Sequence, residues 1–125
     1  MNKNMIDINM TELLESAKRL LEQLKRLSET IGVNKYVVAS EDYVNVGSEN
    51  GLNGTDFTPK SPVFSVKAQI FNSEEDAMLM GMDYYLVNGN GEKIIPQVIP
   101  AKQFFSEEMI VAERIIQNLK SVADQ

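Results

Sequence analysis

The strongest constraint in this chain lies between residues 6 and 31. Ile6, Met10, Leu13, Ala17, Leu20, Leu24, Leu27 and Ile31 follow one another at alternating spacings of four and three, which draws one apolar stripe along an α-helix. Leu14 and Leu21 widen that stripe. A two-stranded zipper carries charges beside its seam. Here the flanking positions hold Leu14 and Leu21 on one side and Ser16, Gln23 and Thr30 on the other. So broad a face suits packing against a sheet or several helices, with Leu13, Leu20, Leu24 and Leu27 as the core or oligomer seam. Asn9 with Glu12 is the expected start of the helix and Gly32 its expected left-handed stop. Glu15 with Arg19 and Glu22 with Arg26 have the spacing of ion pairs on the outer face.

Downstream the period changes. Lys35 to Ser40 and Asp42 to Val46 read as short strands around a turn at Glu41-Asp42. Residues 47–62 hold Gly47, Gly51, Gly54, Pro59 and Pro62 and read as one long loop, of the kind that is either mobile or a contact surface. Val63 to Phe71 alternates, with Phe64, Val66, Ala68 and Ile70 on one face. Asn72-Ser73 before Glu74-Glu75-Asp76 predicts a short helix ending at Gly81, its acids at the positive end of the dipole. Met82 to Val87 and Glu92 to Ile99 read as a hairpin around Asn88-Gly89-Asn90-Gly91, with Pro96 at an edge or bulge. A last helix is expected over 106–122, opened by Ser106-Glu107-Glu108 and carrying Met109, Ala112, Ile116 and Leu119, with Ile115 and Val122 broadening its apolar face. The expectation is a single α+β domain over residues 1–125. An antiparallel sheet of about four to five strands is covered by long N- and C-terminal helices, in the approximate order α-β-β-β-α-β-β-α. That order is similar in layout, though in no motif, to the acidic type III secretion chaperones, a likeness that implies a dimer acting by contact.

Composition now narrows the chemistry. The 125 residues include no Cys, no His and no Trp. Disulfide frameworks, thiolate and imidazole metal sites, Ser-His-Asp triads and Cys nucleophiles are therefore absent. Gly51-Leu52-Asn53-Gly54-Thr55 lacks the Lys of a phosphate loop. Asn88-Gly89-Asn90-Gly91 lacks the carboxylates of a calcium loop. Glu74, Glu75, Asp76, Asp83, Glu107 and Glu108 are the acids a hard cation would use. The first three and the last two are explained by helix first turns, so no metal and no cofactor is expected. A net charge of −6 argues against direct nucleic-acid binding. No run of apolar residues is long enough to span a membrane, and the opening residues lack the apolar core of a leader.

What remains is contact. The expected function is a non-enzymatic binding protein of the inhibitor, immunity, chaperone or ligand-sequestering type, cytoplasmic, forming a homo-oligomer and plausibly drawn from a phage or mobile element. The alternatives are a self-associating assembly component and, third, a small carboxylate-metal protein or enzyme. The partner is a protein or a small ligand. Leu52, Phe57 and Lys60 in the long loop, with Met78 and Met80 beside it, are the expected binding residues, since flexible thioethers suit irregular partners. Core filling is the competing role of the methionines.

Overall fold

Helix α1 occupies Lys3–Thr30. The computed structural model describes residues 3–47, 57–81, 86–87 and 90–123, and α1 is the longest element among them. No Gly or Pro interrupts residues 3–30, so a helix once nucleated propagates through Asn9 and that residue is no cap. At the other end the Ile31 amide donates to the Leu27 carbonyl at 3.0 Å and Thr30 Oγ1 donates to the Arg26 carbonyl at 2.8 Å. Those bonds close the last turn without a left-handed residue, and Gly32 does not serve as one. The positive-φ glycines among the described residues are Gly47 and Gly91.

The main sheet has the order β3-β2-β1-β6, built from β1 (Tyr36–Ala39), β2 (Tyr43–Asn45), β3 (Phe57–Pro59) and β6 (Gln97–Pro100). Every neighbouring pair is antiparallel, with Val37 opposite Ile99 and Val38 opposite Val98. Val37, Val38 and Ala39 are all buried, so both faces of β1 are covered. Val37, Ala39 and Val44 meet Leu24 of α1 together with Ala101, Phe104 and Phe105 of the C-terminal helix α4 (Ala101–Ala123). Phe104 and Phe105 meet edge to face with ring centroids 5.3 Å apart, a favoured aromatic geometry. On the other face Val38 packs with Phe71 and with Ala77 of α3 (Glu74–Gly81). The protein is α+β, with a four-stranded antiparallel sheet and long N- and C-terminal helices in nearly the expected order.

Four sequence expectations change. The end of the 47–62 loop is strand β3, because Phe57–Pro59 finds Tyr43–Asn45 as a partner. Val63 to Phe71 is not a strand. Pro62 at the first helical position fixes a helical φ, and the amides of Phe64 and Ser65 both donate to the Ser61 carbonyl, at 3.0 and 2.7 Å. The result is the single-turn helix α2 (Pro62–Ser65), after which the chain stays coiled through Ala68. Only Phe71 behaves as strand, in a bridge to Tyr36. The expected hairpin divides at buried Pro96, which cannot donate to a ladder. Its near part pairs β4 (Leu86–Val87) with β5 (Lys93–Ile94), and its far part is β6 on the main sheet. Finally α4 starts at Ala101, five residues before Ser106. Its buried stripe of Ala101, Phe104, Phe105, Glu108, Ala112 and Ile116 already has helical spacing.

The two ends of the α1 stripe differ in burial, so they differ in energetic weight. Leu24→Ala is expected to cost about 2–5 kcal/mol, whereas Leu13→Ala, at a side chain 54% exposed, should cost less than about 1 kcal/mol. Urea unfolding at low protein concentration checks both.

Candidate functional site

Helices α1 and α4 run antiparallel over the sheet. At one end Lys102 Nζ donates to the Ser28 carbonyl at 3.2 Å, and at the other Leu13 and Leu119 line the same hollow. Ala17 and Ala112 meet between these ends, and both are buried. Side chains this small leave the space above them unfilled. The result is an apolar groove of roughly 270 Å³, walled by Leu13 and Leu20 from α1, Ile115 and Leu119 from α4, and Pro62 and Val63 from α2. It opens along the flank of α1 past Ser16, Leu20 and Gln23. Val63 is 52% exposed and Ile115 38%.

The placement of α2 over this groove depends on a buried polar pair. Ser65 is fully buried and its hydroxyl donates to Glu108 Oε1, a carboxylate that is itself only 4% exposed. A hydrogen bond to a buried charged acceptor is worth more than a neutral one, and leaving that acceptor without its donor is costlier still. With Ser65 turned inward, Val63 is turned out toward the groove. Glu108 therefore acts as an anchor for α2. Its expected role in offsetting the dipole of a first turn falls away, because the helix begins well before it. Glu107, one residue earlier, is exposed and accepts from Gln103 Nε2 at 3.2 Å.

The residues expected to bind are not brought together. Leu52 and the side chain of Met80 lie outside the described residues. Phe57 sits on β3, half-buried beneath α3 with Tyr36 and Val98. Lys60 is drawn back to the main chain, its amide on the Asp42 carbonyl at 2.8 Å and its Nζ on the Ser40 carbonyl at 3.1 Å. It lines a separate polar-rimmed depression with Glu41, Ile95 and Ile99. Met78 stands half-exposed on α3, which corrects a core-filling role for that methionine. The expected seam splits: Leu13 and Leu20 line the groove, while Leu24 and Leu27 belong to the core.

Other candidate chemistry is spread out. Glu74, Glu75 and Asp76 occupy the exposed first turn of α3, where the Asp76 amide donates to Ser73 Oγ at 3.0 Å. That is the capping expected of them. Among the described residues no three acidic side chains converge, and no helix is long and apolar enough to cross a membrane. Asp83 lies outside the described residues. Val63 and Pro62 were missed as site residues because alternation over 63–71 imitates a strand. The Ser61-Pro62 step, a proline placed where helices begin, is the signal that points to them. Comparison with protein-family models, curated proteins and solved structures finds no match to this chain.

Removing the anchor should be felt in stability. Ser65→Ala is expected to destabilise by about 1–3 kcal/mol, since it leaves the Glu108 carboxylate buried without its donor. Ser65→Thr, which keeps the hydroxyl, should recover part of that loss in urea unfolding.

Proposed function

We propose that this protein acts by stoichiometric contact and not by catalysis, through the apolar groove between α1, α2 and α4. One observation carries the reading: Leu13, Val63 and Ile115, all more than a third exposed, converge with Leu20 and Leu119 on a floor of two alanines. Isolated surface leucines need no explanation, but a contiguous apolar hollow on a soluble chain marks an interaction site. The absence of Cys and His from the sequence supports the non-catalytic side of the proposal. The occupant is another polypeptide, because the groove lies along two helices and is open at its side, a form that fits a helix or a second helical layer. Nucleic acid is not proposed as the partner, on the grounds of the −6 charge. A cytoplasmic site of action belongs to the same proposal and is supported by the lack of cysteine. Inhibitor, immunity and chaperone roles all fit this mode and differ in the partner alone.

The test immobilises the chain and compares what polypeptides, this chain included, are retained from host extract by wild type and by Val63→Asp. Val63 is exposed, so the variant should keep its far-UV circular dichroism and unfolding midpoint while losing the retained polypeptide. Equal retention by both proteins sinks the groove as the contact surface.

A further inference from the structure

We infer that both edges of the main sheet are closed to strand addition by prolines, which excludes β-pairing as the way this chain meets another, a second copy included. The inference stands apart from the groove and concerns the opposite kind of contact. The order β3-β2-β1-β6 leaves β3 and β6 at the edges, and among the described residues no further strand pairs with either. An edge strand exposes a row of amides and carbonyls that can template another chain. Whether an added strand can use that row depends on which amides face outward.

Two hydrogen bonds fix that direction. In an antiparallel ladder the N–H and C=O of one residue point to the same neighbouring strand, and those of the next residue point to the opposite side. The Lys60 amide donates to the Asp42 carbonyl at 2.8 Å, inward to the β2 side. Pro59, one residue earlier, therefore faces out from β3. At the other edge the Ala101 amide donates to the Lys35 carbonyl at 2.8 Å, inward to the β1 side, so Pro100 faces out from β6. The same alternation turns Thr58 in and Phe57 out on β3, with Thr58 opposite Val44. On β6 it turns Ile99 in and Val98 out, with Ile99 opposite Val37.

Both prolines thus stand where an amide would otherwise face away from the sheet, the position at which a strand accepts proline without loss to its own ladder. Both are exposed. Pro96, just before β6, has no amide to offer either. Each edge strand keeps one outward amide, on Phe57 and on Val98. An added strand is held by bonds at every second residue of the edge, and a single donor does not make a ladder. The carbonyls that an incoming strand brings would find no further partners, and polar groups left unpaired in a closing interface are costly. Strands of three and four residues shorten the template further.

The test restores an amide at one edge at a time. Pro59→Val and, separately, Pro100→Val each supply an N–H on a residue suited to strands. Each variant should keep the circular dichroism of wild type and self-associate about tenfold more tightly or better in sedimentation velocity, because a two-fold pairing of edges uses every new donor twice. Infrared spectra of isotope-labelled chains mixed with unlabelled ones should show strands paired between molecules. The control places the α-hydroxy acid analogue of valine at the same position. It removes the proline ring but brings no N–H, so association should return to the wild-type level. Folded valine variants that associate no more tightly than wild type overturn the inference. Ester-linked controls that associate as strongly as the valine variants also overturn it, since chain stiffness and not the missing amide would then be the cause. If neither valine variant folds, the prolines serve the fold and the inference falls.

Discussion

Helix length set against strand length governs this molecule. At 1.5 Å per residue the 28 residues of α1 extend about 42 Å. The four residues of β1, the strand at the centre of the core, cover about 13 Å. A sheet of four such strands is shorter than this helix along or across its strands, so part of α1 has no sheet beneath it. Yet the apolar stripe is continuous from Ile6 to Ile31. Its lower part, with Leu24 and Leu27, reaches the sheet and becomes core. Its middle, with Leu13, Ala17 and Leu20, has α4 and one turn of α2 as neighbours and becomes the wall of a groove. One periodic signal therefore supplies two environments.

Two further details decide the form of that groove. Ala17 and Ala112 stand where larger residues would have closed it. The second is the Glu108–Ser65 bond, which holds α2 with Val63 outward. A buried carboxylate is a costly way to hold a single turn of helix, because its desolvation must be offset by the bond it makes. An apolar residue at position 108 could pack without that cost. What it could not supply is direction: a hydrogen bond to one hydroxyl fixes which side of α2 turns in.

This division explains how much the sequence reveals. The α1 helix, the strands at Tyr36–Ala39 and Tyr43–Asn45, and α3 with its Ser73 cap are legible because local periodicity and capping agree with the fold. The start of α4 was hidden by Ser106-Glu107-Glu108, a convincing helix opening that sits inside a helix already begun at Ala101. Phe104 and Phe105 belong to either period when read locally, and only the position of the sheet decides. Over 63–71 the alternation was real, but Pro62 acted first and coiled the chain. The groove could not be read at all from one segment. It arises from Ala17, Val63 and Ile115, which are far apart in sequence and come together only because α1 and α4 are antiparallel.

The same geometry separates stability from recognition along a single helix. Leu24 is wholly buried and Leu20, four residues earlier, is half-buried at the groove. Between them the stripe passes from sheet-covered to open. Below that point a side chain serves the fold, and a change there alters contact only by way of unfolding. Above it the side chain lines the groove, and on the proposed reading a polypeptide seated there would add stability by mass action. An uncovered upper stripe is therefore not surplus hydrophobicity left by imperfect packing. It is the portion of α1 whose burial the sheet is too short to complete, and Leu13 and Leu20 stay partly open there because their neighbours are α4 and one turn of α2.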